Sequence, residues 1–193
     1  MRTDRFGESG FSMTEVLVAM LVLSGGVIGA AGMQLTAMRT AQQSGFHSTA
    51  LLLAAEMADK MRANDSRMRQ DDGDNPFLSI SYDAMKDGDP TAPDVLCYTT
   101  ACDDEELAEF DIYEWKRRIA AALPGGRAVI CRETSPWDST RNAFVWDCKN
   151  DGDGASLVIK LGWQGKNPDG SLIRDQNNAI APSVALTVEP YIR

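Results

Sequence analysis

Between Val16 and Met38 the chain carries no ionisable side chain, a run of 23 residues. A helix needs about 20 apolar residues to cross the hydrocarbon core of a bilayer. The segment is therefore long enough to sit in lipid, and it dictates how the rest of the chain is arranged. A carboxylate, Glu15, stands directly in front of it. Charge at the edge of lipid is costly, so something must require an acid there. A cleaved secretory signal, with Val16–Leu23 as its apolar core and Gly29-Ala30-Ala31 as its small-residue cleavage site, has the wrong charge. Arg2 and Arg5 face Asp4, Glu8 and Glu15, a balance of −1, whereas signal peptides carry positive charge before the apolar core. An ordinary single-span anchor accounts for the length but for neither Glu15 nor the Gly10-Phe11 junction.

The string Gly10-Phe11-Ser12-Met13-Thr14-Glu15 resembles the type IV prepilin motif: Gly, Phe, three residues, Glu, then an apolar stretch. The resemblance implies cleavage between Gly10 and Phe11 by prepilin peptidase on the cytoplasmic side. The apolar segment is then retained, and the new amine of Phe11 is N-methylated. On this reading Glu15 is the fifth residue of the mature chain, in the first turn of a helix. A carboxylate there is favoured by the helix dipole and by unpaired backbone N–H groups. In lipid it still needs a cation. The family supplies one in the N-terminal amine of the adjacent subunit, so Glu15 acts in assembly. The alternative for Glu15 is a plain first-turn acid. Gly25 and Gly29 form a GxxxG pair suited to close helix approach. Together with Gly26 and Gly32 they equally suit a stretch that unwinds.

A second resemblance is narrower. Glu15-Val16-Leu17-Val18-Ala19, Gly32-Met33-Gln34 and Ala58-Asp59-Lys60-Met61-Arg62-Ala63-Asn64 are similar to the PilV group, the type IV pilus modification proteins among the minor pilins. This resemblance covers residues 8–64, with a weaker likeness at Leu157–Trp163. It implies a minor pilin of the inner membrane, single-pass with its head in the periplasm, that enters the surface pilus. The implied role is to initiate pilus assembly within a tip or priming complex, supporting adhesion and twitching motility. The implied partners are other minor pilins, the major pilin, a tip adhesin, the inner-membrane assembly platform, prepilin peptidase and the membrane. The first string is shared with minor pseudopilins of type II secretion, which is the alternative function. A membrane-anchored periplasmic binding module that never polymerises is a third.

The remaining chain is read from its patterns. Phe46, Ala50, Leu53, Met57 and Met61 recur at spacings of three and four, one apolar helical face, with Glu56, Asp59, Lys60 and Arg62 largely off it. No proline interrupts the pattern, so one helix is expected from about Phe11 to Met68. Asp71–Ala92 is rich in Asp, Gly and Pro and reads as a loop. Asp103 with Glu106 forms a capping box opening a second helix. Leu107, Phe110, Trp115, Ile119 and Ala122 are expected as its buried face, and Pro124-Gly125-Gly126 as its stop. Strands are expected at Arg127–Arg132, Ala143–Cys148, Ser156–Trp163 and Ser183–Glu189, joined as an antiparallel meander. The expected fold is α+β and pilin-like: a long N-terminal helix on a small antiparallel sheet, with a second short helix. The expected divisions are a leader over 1–10, a membrane and assembly helix over 11–38, and a head over 39–193.

Charge and motifs exclude other classes. The net charge of −9 argues against nucleic acid, whose phosphates need basic patches. The single histidine, His47, has no Ser or Cys signature around it that would suggest a catalytic triad. No phosphate-binding loop, dinucleotide fingerprint or nucleophile elbow is present, so no enzyme, cofactor or metal is expected. Asp71–Asn75 and Asn150–Gly154 invite a calcium reading. Counting from Asp71 or from Asp147, neither has both Gly at the sixth position and Glu at the twelfth, so both read as solvated turns. Cys97, Cys102, Cys131 and Cys148 read as two disulfides in an exported chain and as inert thiols in a cytosolic one. The favoured pairing is Cys97 with Cys102, closing a small loop, and Cys131 with Cys148, on neighbouring strands of a hairpin. Four cysteines allow three connectivities.

Overall fold

The structure, a computed structural model, describes residues 11–148, 155–167, 169–174 and 180–188. The leader over 1–10, the acidic stretch Asn150–Gly154 and Glu189 lie outside the described residues.

Helix α1 runs over Met13–Ala63, 51 residues without interruption, or about 77 Å at 1.5 Å per residue. Its two halves differ in what surrounds them. Residues 13–38 are exposed on every side. From Ala50 onward one face is buried, through Leu53, Ala54, Met57, Ala58 and Met61. Apolar residues at helical spacing on one side only are what a helix lying on a core requires.

The expected continuation to Met68 is corrected. Asn64 leaves the helical conformation at φ −99°, ψ 63°, and a separate single turn, α2, spans Asp65–Met68. The Asn64 side chain accounts for the break. Its Oδ1 accepts from the Arg67 backbone N–H, and its Nδ2 donates 2.7 Å to the Asp104 carbonyl. Such local bonds compete with the helix ladder. Asn64 is also 5% exposed, so leaving these groups unpaired would be costly.

Strand β1 spans Ser81–Asp83, preceded by a 3-10 turn at Pro76–Ser79. Helix α3 spans Asp104–Ala122, β2 Arg127–Arg132, β3 Trp137–Asp138, β4 Ala143–Phe144, β5 Leu157–Gly162 and β6 Val184–Val188. Four strands form an antiparallel sheet in the order β1-β2-β5-β6, while β3 and β4 pair only with each other. The architecture is α+β, a long N-terminal helix and a second helix on a small antiparallel sheet, as expected.

Three expectations inside this frame are corrected. Strand β1 lies within the stretch read as loop, and its pairing Ser81↔Val129 to Asp83↔Arg127 holds it there. Ala143–Cys148 contains strand only at Ala143–Phe144, because the segment turns away to cover the sheet. On α3 the buried residues are Ala108, Ile112, Trp115 and Ile119. Leu107 and Ala122 are exposed and Phe110 is half-buried; Phe110 instead stacks edge-on against Tyr98, with centroids 4.8 Å apart. The helix start and stop agree with the sequence. Asp103 caps the Glu105 and Glu106 N–H groups, Glu106 returns a bond to the Asp103 N–H, and Gly125 adopts φ +58° beyond the helix end.

The core lies between α1, α3 and one face of the sheet. Leu157, Ile159 and Leu161 of β5 point into it, opposite Ala128 and Ile130 of β2. Trp115 is fully buried at its centre, and its Nε1 donates 2.8 Å to the Leu53 carbonyl of α1. The other sheet face is covered by the excursion between β2 and β5. A side chain at Gly162 would place its Cβ 2.8 Å from Trp146 of that excursion and 2.8 Å from the Ala181 carbonyl, so only glycine lets the cover close.

Candidate assembly site

The start of α1 is set by Ser12, whose extended backbone begins the helix. The Ser12 backbone N–H donates 2.9 Å to Glu15 Oε2, and Ser12 Oγ lies 2.7 Å from Thr14 Oγ1. Within the single chain Glu15 thus already accepts one bond at the helix N-terminus, where the dipole favours a carboxylate. At the edge of lipid, one hydrogen bond from the Ser12 backbone would not offset the cost of a carboxylate, which is several kcal/mol when unpaired. Phe11 is 88% exposed, one turn before Glu15; Gly10 lies outside the described residues.

The apolar half of α1 finds no partner among the described residues. Its most apolar stretch is wholly unburied. Added Cβ atoms at Gly25, Gly26, Gly29 and Gly32 would meet nothing within 4 Å. None of the described residues buries that surface; lipid or other helices would.

The cysteines are paired 97–102 and 131–148, with S–S distances of 1.98 and 2.05 Å. The first closes the loop leading into α3. The second differs in setting from the expected hairpin: Cys131 on β2 faces Val158 of β5 across the sheet, and Cys148 lies beyond β4. The bond therefore staples the covering excursion to the sheet rather than joining paired strands. Lys160, fully buried in β5, reinforces the same junction. Its Nζ donates 2.5 Å to Glu133 Oε2, 2.8 Å to the Val145 carbonyl and 3.1 Å to the Asp147 carbonyl. Glu133 is 1% exposed, and its Oε1 meets no hydrogen-bond partner among the described residues. The sequence reading missed this pair, although a lysine inside the apolar run Leu157-Val158-Ile159-Lys160-Leu161 was a visible signal.

The other candidate groups do not converge. Cys131, Glu133 and Cys148 place ligand atoms within 4.8 Å of one another, but the sulfurs are bonded together, and a metal requires thiolates. Asp72 accepts from Arg132 Nε at 2.8 Å, and Asn75 Oδ1 caps the Phe77 N–H at 3.0 Å. Those bonds explain the Asp71–Asn75 stretch as turn and cap. Asp103, Asp104, Glu105 and Glu106 spend their carboxylates on capping and on contacts to α2, among them Arg67 to Glu105 at 2.7 Å. His47 is exposed and lies edge-on to Trp163 at 6.3 Å.

Phe11 and Glu15 therefore form one locus, at the tip of an apolar helix that has no partner among the described residues. They are separated from the head core, which begins at Ala50, by about 50 Å of helix axis. The family model of type IV pilin Tt1218 matches residues 32–113. Over these residues the chain is similar to a type IV pilin. The matched pilin segment takes in α1 from Gly32, the break at Asn64, β1, the Cys97–Cys102 loop and the first half of α3. It stops short of the second disulfide and begins after Phe11 and Glu15. A pilin match over these residues and an exposed N-terminal apolar helix fit a membrane-anchored pilin. No curated protein and no solved structure matches the chain.

Proposed function

We propose that this chain is a minor type IV pilin of the PilV kind, made as a prepilin and matured by prepilin peptidase between Gly10 and Phe11. The new Phe11 amine is methylated. Residues 11–38 anchor the protein in the inner membrane, with the head over 39–193 in the periplasm. Glu15 then pairs with the N-terminal amine of a neighbouring subunit. That pairing rewards one axial register, since a helix displaced by a turn leaves a carboxylate and an amine unmatched in lipid. Other minor pilins, the major pilin, the tip adhesin and the assembly platform are the proposed partners, and initiation of pilus growth, adhesion and twitching motility the proposed outcome.

One observation carries this reading: an exposed apolar helix with a carboxylate at its first turn continues without a break into a segment similar to a type IV pilin. The test is the intact mass of the mature protein from membranes. The expected mass lacks Met1–Gly10, carries one added methyl group and is lower by four hydrogens for two disulfides. A mature start near Gly32, or an uncut chain, overturns it. Dependence of exoprotein secretion on the chain, with no trace of it in sheared pili, would move the assignment to a type II secretion pseudopilin.

A further inference from the structure

A small hairpin of the head descends along α1 toward the apolar half. The Ile173 N–H donates 2.9 Å to the Gly165 carbonyl and the Asn167 N–H 2.8 Å to the Ser171 carbonyl, and Lys166 bridges Leu172. The stem is fixed at the level of Gln43. Trp163 Nε1 donates 3.2 Å to Gln43 Oε1, and a Cβ at Gly165 would lie 3.2 Å from the same oxygen. The tip reaches Arg39. Gly170 adopts φ +93°, and a Cβ there would sit 3.3 Å from Arg39 Nη2. From Gln43 to Arg39 is four residues, about 6 Å along the axis, and it runs toward the N-terminus.

Arg39 is the first ionisable residue after the uncharged run. About 20 residues from Val16 fill a hydrocarbon core of about 30 Å, which brings its boundary to the neighbourhood of Leu35. Arg39 is then about 6 Å beyond that boundary, within the lipid headgroup layer, and the hairpin tip is beside it.

The composition of the hairpin suits that depth. Leu172 is 39% and Ile173 48% exposed. Lys166 and Arg174 flank them, also exposed. The tip acid, Asp169, is turned onto Ser171, accepting from its N–H at 2.8 Å and its Oγ at 2.7 Å. Among the described residues the hairpin presents Lys166 and Arg174, with Arg39 beside it and Asp169 as its acid, in a chain of net charge −9. We infer that the hairpin 165–174 is a second membrane contact. Leu172 and Ile173 enter the headgroup–acyl boundary, and Lys166 and Arg174 take the phosphates of anionic phospholipid, as cations close to such a surface do. The inference rests on reading α1 as a membrane anchor. It holds the head at a set tilt before assembly.

The experiment uses the full chain in nanodiscs of phosphatidylglycerol brominated either near the headgroup or near the chain ends. Leu172→Trp adds emission to that of the native tryptophans, and Ile173→Trp is a second reporter. The added emission should be quenched, more strongly by the shallow bromines, and Lys166→Glu with Arg174→Glu should weaken the quenching. Deuterium exchange over 16–38 is followed in the same samples. Unquenched added emission with 16–38 protected overturns the inference and leaves the anchor standing. Rapid exchange over 16–38 removes the anchor, and the inference with it. Added emission that changes only when filaments form assigns the hairpin to a neighbouring subunit and equally overturns it.

Discussion

Lys160 carries three acceptors on one buried amine, and each belongs to the segment that covers the outer face of the sheet. Removing one member of a buried ion pair strands the other, at a cost of about 3–5 kcal/mol, whereas replacing both with apolar groups is often neutral. Lys160→Met alone should therefore lower the unfolding free energy by that amount. Lys160→Met with Glu133→Leu should recover most of it, as measured by urea denaturation of the full chain in micelles. A smaller effect belongs to Glu114. Its Oε1 accepts from the Tyr98 hydroxyl at 2.6 Å and from Arg117 Nη1 at 2.8 Å. The Tyr98 bond is the main reason its carboxyl is held below the usual carboxylate range, with Arg117 adding to it. A carboxyl lowered on folding stabilises fully above its unfolded pKa, and that contribution is lost as pH falls through the folded value. Tyr98→Phe should raise the Glu114 titration, seen by carboxyl carbon NMR, and move acid unfolding to higher pH.

At the scale of elements, the Cys131–Cys148 bond and Lys160 act on the same junction from two directions. The closed loop spans 17 residues, so Cys131→Ser with Cys148→Ser should cost about 3 kcal/mol by the loop-entropy relation. The deuterium exchange of 133–148 should rise more than that of α3. What was legible in the sequence at this scale follows from physics that is local. Helix α1 declared itself through an apolar period of 3.6 and the absence of proline; α3 did so through a capping box and a Pro-Gly-Gly stop. Strand β1 was illegible because three residues in a stretch rich in Asp, Gly and Pro owe their conformation to β2, far away in the chain. The buried face of α3 was legible at Trp115 and Ile119 but not at Ala108 and Ile112, because size alone favours Leu107 and Phe110, whereas the face that meets the core takes the small Ala108. Asn64 was invisible as a break because its decisive bond runs to the Asp104 carbonyl, 40 residues away. The locus at Phe11 and Glu15 was readable only as a motif. The structure adds the Ser12 bond to Glu15 and shows that the helix behind it has no partner among the described residues.

On the scale of the whole molecule, the exposed apolar segment and the head share one helix with no joint between them, and on the proposed function that segment is the anchor. A continuous helix transmits angle as well as distance: each residue adds about 1.5 Å and about 100° of rotation. One alanine inserted after Leu35 should leave the thermal unfolding of the head unchanged and yet turn it by roughly a quarter of a revolution relative to residues 11–35. A lone subunit in a bilayer can spin to accommodate this. A subunit held at both ends, by its anchor and by its head, cannot. The insertion should therefore spare membrane retention and abolish recovery in sheared pili, and deletion of Ala37 from the same chain should restore it. The helix would then serve as a phase standard: where one end is seated decides which way the other end faces.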